Sequence, residues 1–180
     1  PTGSSTGPVA LAGEQEIMYI LSGSGTVESG GKTAELREGT FVLIPDKVSY
    51  ILRNTGGEAL AMYLIAEPVP KSFKPRKEMK VVDGRTLPVS SANGHWSMII
   101  RTAFNIVEDL AIIQYVNTIT FDPMTIGHPH AHLPGCEELW TALWADAWRK
   151  ISRLPIGDRK RLLLARVVYE AEQYGIQLVH

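Results

Sequence analysis

The sequence predicts a mainly β protein, a sandwich or barrel of short strands, followed by one amphipathic helix at the C-terminal end. Three observations lead there. Short apolar and β-branched runs recur from Glu16 to Glu67 and again after residue 93. Gly, Pro, Asn and Ser separate them at the close spacing that all-β sandwiches and barrels use. The tail differs in kind, because there the apolar residues fall at helical spacing.

In chain order, residues 1–7 (PTGSSTG) are small and read as a flexible arm. Residues 17–21 (IMYIL) form a short apolar strand, and residues 22–25 (SGSG) a turn, since Gly supplies the positive φ that other residues resist. Thr26, Val27 and Glu28 begin the return strand, and residues 29–32 (SGGK) turn it again. Residues 32–37 alternate weakly. Gly39 leads into a strand at 40–44 (TFVLI), which Pro45 and Asp46 close. Residues 50–54 make the next strand, 55–58 (TGGE) the next turn, and 59–66 a nearly continuous apolar strand. From residue 67 to 89 the chain carries Pro68, Pro70, Pro75 and Pro88 with several Lys and Arg. Proline fixes φ and removes a donor, so this stretch is expected to lack a regular element. Strands resume at 96–101, 110–116, 117–121 and 139–144. In the tail, Leu162, Leu163, Leu164, Val167, Val168 and Ala171 share one helical face, with Asp158 as N-cap and Gly175 as stop. That helix is expected to pack on a barrel or on a neighbouring subunit. The resulting division is 1–67, a first β half; 68–92, a Pro-rich linker; 93–148, a second β half; and 149–180, the helical tail.

Composition narrows the function. Hydrophobic residues make up 44% of the 180 and charged residues 21%, ordinary values for a soluble globular protein. The net charge of -1 without a basic run argues against nucleic acid as a partner, since phosphate binding needs clustered Lys and Arg. A single cysteine, Cys136, allows no intrachain disulfide. No apolar run is long enough to span a bilayer, so no membrane partner is expected. No signal peptide is visible ahead of the first strand, and a cytoplasmic location is expected.

Chemistry concentrates in one stretch. Three of the five histidines, His128, His130 and His132, occupy alternate positions, followed by Glu137 and Glu138. In an extended segment, period two places the three imidazoles on one face. Imidazole nitrogen with a carboxylate oxygen suits a divalent first-row transition metal: Fe, Mn, Zn, Ni or Cu. Two histidines and one carboxylate leave positions open for water, O2 or substrate. The alternative is a solvated loop in which the pattern is coincidence. Cys136 beside the cluster reads as a small buried hydrophobe, since a catalytic thiol needs a depressed pKa and a base in reach. Trp140, Trp144 and Trp148 recur every four residues and read as barrel or interface filling.

The order of these residues resembles the cupin superfamily, whose two motifs are G-x5-H-x-H-x(3,4)-E-x6-G and G-x5-P-x-G-x2-H-x3-N. In the first β half, Glu16 is followed by six residues and Gly23; Gly39 by five residues and Pro45; and Lys47, Tyr50 and Asn54 stand at the Gly, His and Asn positions without a gap. Counting back from Glu16 puts Val9 and Leu11 where the resemblance implies two metal-binding histidines. With Tyr50, all three histidines are replaced, and only Glu16 remains of the four ligands. The first half is therefore expected to be structural or to bind an organic ligand without metal.

Residues 123–140 are similar to the first motif of the second half of bicupins, which carry two such jelly-roll barrels in one chain. The resemblance implies metal ligands His130, His132 and Glu138, with His128 as an alternative ligand or an acid/base. Glu137 lies within the usual spacing from His132, whereas the register from Glu138 to the next strand mirrors that of Glu16, which favours Glu138. After Trp144 the pattern ends: no late histidine follows unless His95 or His180 substitutes. The second barrel is then truncated, completed by a partner chain, or completed by segments not in this sequence. The resemblance as a whole implies a cupin jelly-roll, bicupin-like fold and a homodimer. It also implies a metal-binding protein, an enzyme of oxygenase, isomerase, decarboxylase or lyase type on a small polar molecule, or else a non-catalytic, storage-like binder of a small ligand. Fold alone does not choose among these.

Overall fold

The structure is a computed structural model; it describes residues 1–89 and 98–121. Almost all of these belong to one compact unit, Pro1–Ser90 with Ile100–Ile119. A second unit, Ser91–Ile99 with Thr120–His180, lies mostly outside the described residues, and the expected C-terminal helix lies wholly outside them. Among the described residues every regular element is a strand, and no helix is long and apolar enough to cross a membrane.

Among the described residues nine strands follow in chain order: β1 (Glu14–Ser22), β2 (Ser24–Ser29), β3 (Lys32–Arg37), β4 (Thr40–Ile44), β5 (Ile51–Asn54), β6 (Ala61–Pro68), β7 (Lys80–Asp83), β8 (Met98–Asn105) and β9 (Tyr115–Phe121). They form a four-stranded sheet β6-β1-β4-β7, a three-stranded sheet β3-β2-β5 and the pair β8-β9. All pairings of the two larger sheets are antiparallel. The β2–β3 hairpin is closed by Gly30 and Gly31 at φ 57° and 75°, a two-residue turn that needs a positive φ at both positions.

The four-stranded sheet is covered on both faces, and this explains its composition. Met18 and Ile20 of β1 and Val42 and Ile44 of β4 meet Val27, Leu36 and Tyr50 in an inner core between the two sheets. Ile17 of β1 and Phe41 and Leu43 of β4 point the other way and pack with Ala103, Phe104 and Leu110. A strand buried on both faces reads as an unbroken apolar run instead of an alternating one, as 40–44 does. On the outer face, Phe41 lies edge-on to Phe104 at 6.2 Å and stacks at a tilt on Tyr19 at 4.5 Å between ring centroids.

Three expectations are corrected. The Pro-rich stretch contributes β7: Val81 and Val82 pair with Val42 and Phe41 and extend the sheet, so four residues between prolines suffice for an edge strand. Residues 110–114 are not a strand; they turn back toward β6, and only residues 115–121 are extended. The N-terminal arm is pinned along β5, where Thr6 N donates to Leu52 O and Asn54 N to Ser4 O, each at 2.9 Å.

Candidate functional site

β1, the β4–β5 turn and the arm converge at one end of the barrel. Glu16 pairs with Ile44 across β1–β4, and the two-residue period puts its side chain on the same face as Met18 and Ile20. The chain leaves β4, turns through Pro45, Asp46 and Lys47, and sends Tyr50 into the inner core. There the Tyr50 hydroxyl donates to Glu16 Oε1 at 3.1 Å, with Tyr50 5% and Glu16 4% exposed. Val9 lies beside them: Val9 and Tyr50 exchange both backbone hydrogen bonds at 2.9 Å, and the Val9 side chain packs on the core. Leu11 is half-buried, and its carbonyl accepts from Lys47 N at 2.8 Å. Burial raises the Glu16 carboxyl above its ordinary value; the Tyr50 hydrogen bond opposes this and Glu14 adds to it. Burial, the Glu16 charge and their shared hydrogen bond all push the Tyr50 phenol up, which keeps it a donor.

The motif positions divide by duty. Those with a backbone duty are filled by residues that perform it. Gly23 has φ 81°, and a Cβ there would stand 2.4 Å from Ala59 O. Lys47, at the second motif's Gly position, has φ 62°, so the turn keeps the glycine conformation with a side chain that resists it. Asn54 is buried; its Nδ2 donates to Pro1 O and Glu58 O at 2.9 and 2.8 Å, and its Oδ1 accepts from Gly56 N at 3.0 Å. The positions that would bind a metal hold Val9, Leu11 and Tyr50, and the remaining carboxylate accepts from Tyr50. One carboxylate beside apolar walls does not fit a metal, which needs several donors converging at about 2 Å. Among the described residues no group of three His, Cys, Asp or Glu could hold one.

A second buried polar group carries no local sequence signal. Gln15 Nε2 donates to Glu67 and, at 3.0 Å, to Asp109 O. The Glu67 carboxylate accepts from the backbone N–H of Ala111, Ile112 and Ile113 at 3.0, 3.1 and 3.0 Å. Asp109, fully buried, accepts from Arg76 at 3.2 Å and from Lys80 at 2.7 Å. These bonds explain why 110–114 turns: Glu67 captures three successive amides that a strand would spend on a neighbour. The partners lie 52 and 94 residues apart in sequence.

The other sequence candidates, His128, His130, His132, Glu137 and Glu138, lie outside the described residues, as do His95, Cys136, Trp140, Trp144, Trp148 and His180.

Residues 1–66 match the family described as Cupin domain. Among solved structures, the chain is 32% identical to a "predicted oxalate decarboxylase" from Thermotoga maritima over 38% of this chain and 60% of that one, with a TM-score of 0.37. It is 16% identical to a "putative glyoxylate induced protein" from Pseudomonas aeruginosa over 64% of this chain and 47% of that one, with a TM-score of 0.51. The second likeness is one of fold. The chain thus spans 60% and 47% of the lengths of these two structures. No curated protein matches the chain.

Proposed function

We propose that this cupin-domain chain is a metal-binding protein whose metal is held by the His-rich stretch and not by the first barrel. His130, His132 and Glu138 would be the ligands, with His128 as a further ligand or an acid/base, and the protein would act on a small polar substrate. The observation that carries the reading is the Tyr50–Glu16 hydrogen bond, which occupies the first barrel's remaining carboxylate inside an apolar core. A donor set of imidazoles and carboxylate is then to be sought where the sequence concentrates it, at 128–138. A divalent metal bound there would supply Lewis acidity or an O2-binding centre. His130 and His132 would hold it as neutral imidazoles at pH 7, and Glu138 would balance its charge.

Elemental analysis of the purified protein tests this. Stoichiometric first-row metal is expected in the wild type and in Glu16→Gln, and its loss in His130→Ala/His132→Ala. Metal that vanishes in Glu16→Gln and persists in the double variant would refute the assignment. A wild type that stays metal-free after incubation with Mn, Fe, Ni, Cu and Zn would refute it too, and would favour a non-catalytic binder of a small ligand.

A further inference from the structure

A cleft of about 420 Å³ lies where the β2–β3 hairpin, the β4–β5 turn and the residues leading into β7 come together. This is within the size range of small-molecule sites, about 300–1,000 Å³. Neither Glu16 nor Tyr50 lines it. Its apolar wall is Val48 and Met79, both half-buried and packed on the inner core, so it rests on a rigid base. On the hairpin side, Gly30 at φ 57° leaves open space: no heavy atom lies within 4 Å of where its Cβ would be. Facing it are Lys77 and Glu78.

The charges in the cleft do not balance. Lys32 reaches across from the hairpin and pairs with Glu78. Lys77 has no carboxylate within ion-pair distance among the described residues. The flanking segment is basic, with Lys71, Lys74, Arg76, Lys77 and Lys80 against Glu78, although the chain as a whole has a net charge of -1. Buried Asp109 engages Arg76 and Lys80 and leaves the other lysines facing outward. A positive rim over an apolar wall suits a ligand with one anionic end and a hydrocarbon body.

We propose that this cleft binds a small organic monocarboxylate, its carboxylate on Lys77 and its chain against Val48 and Met79. The exposed Lys32–Glu78 pair can open at little cost, so Lys32 supplies a second contact when the ligand arrives. The site is independent of the proposed metal centre.

The test is an NMR titration of the full chain labelled at the methionine methyls, with the Met79 signal assigned through Met79→Leu. Butyrate is expected to shift the Met79 methyl saturably while leaving buried Met18 unmoved, and Lys77→Gln is expected to weaken it about tenfold. Butyramide, which keeps the body and loses the charge, and inorganic phosphate, which keeps the charge and loses the body, should both bind far more weakly. The same butyrate response is expected in His130→Ala/His132→Ala. No saturable Met79 shift with butyrate would overturn the proposal. So would equal affinity for butyramide, or an unchanged affinity in Lys77→Gln with Met18 in its native position.

Discussion

Replacing Tyr50 by Phe removes one hydroxyl and keeps the ring that fills the inner core, so it isolates the bond to Glu16. A hydrogen bond to a charged group contributes about 1.5–3 kcal/mol and one between neutral groups about 1 kcal/mol, and a buried acceptor left without its donor bears the desolvation cost. Glu16 already binds its proton more tightly in the folded protein than an exposed carboxylate does. Its contribution is therefore fullest below the ordinary carboxylate pKa and declines as pH rises through the raised value. Without the Tyr50 hydroxyl, burial, the main cause of the rise, acts unopposed by the hydrogen bond, so the decline extends to higher pH. The Tyr50→Phe substitution is thus expected to cost about 1 kcal/mol at pH 4 and about 2 kcal/mol at pH 7. Urea titrations of both proteins at the two pH values measure the difference directly, because other groups titrate alike in each. A gap that is absent, or wider in acid than at neutrality, would refute the argument that a carboxylate–phenol pair replaces a metal here.

Two further outcomes follow from the same geometry. Lys47→Gly relieves a side chain held at φ 62° and should raise stability by about 0.5–1 kcal/mol in urea titration, with little offset from its 3.5 Å pair with Asp46, because the lysine end is exposed to solvent. Glu67→Gln turns one of the two accepting oxygens into an NH2, which then faces either Ala111 N and Gln15 Nε2 or Ile112 N and Ile113 N, and should cost about 2–4 kcal/mol, with faster hydrogen exchange across residues 111–113 than at β1 as the local signature.

The N-terminal β unit was legible in the sequence because its signals are local. β3 and β4 run as the residue pattern places them, since Gly39 and Pro45 bracket β4 and the turn residues 29–32 set the hairpin. The motif frame from Glu16 to Gly23 located Glu16 and that from Gly39 to Asn54 located Tyr50, and these two positions assigned by spacing proved to be in contact. What stayed hidden depends on distant partners. Val81 and Val82 read as linker because their reason for being extended is the edge of β4. Residues 110–114 are apolar enough to read as strand, and only the Glu67 carboxylate, far back in the chain, turns them. The small residues at 1–7 look free until the exposed edge of β5 supplies backbone partners. Gln15, Glu67 and Asp109 carry no local signal for burial; Gln15 donates to Glu67 and to the Asp109 backbone, Glu67 takes the amides of 111–113, and the Asp109 carboxylate is held by Arg76 and Lys80.

The division of the motif residues also bears on how the N-terminal unit is braced. A bound metal ties together the strands that carry its ligands and so adds its binding energy to the fold. Here the same strands are joined by other means: Tyr50 bonds Glu16 across the barrel, Val9 and Tyr50 exchange backbone bonds, and Asp46 Oδ1 accepts from Gly13 N at 2.7 Å to close the turn against the arm. Each link connects segments at least 33 residues apart, so together they do the cross-bracing that a ligand set would do. Apolar packing of Val9 on the core replaces a donor with a contact that needs no partner. A barrel braced in this way has no reason to depend on metal supply, and chelation should leave its stability unchanged while emptying any centre built from the histidines at 128–132.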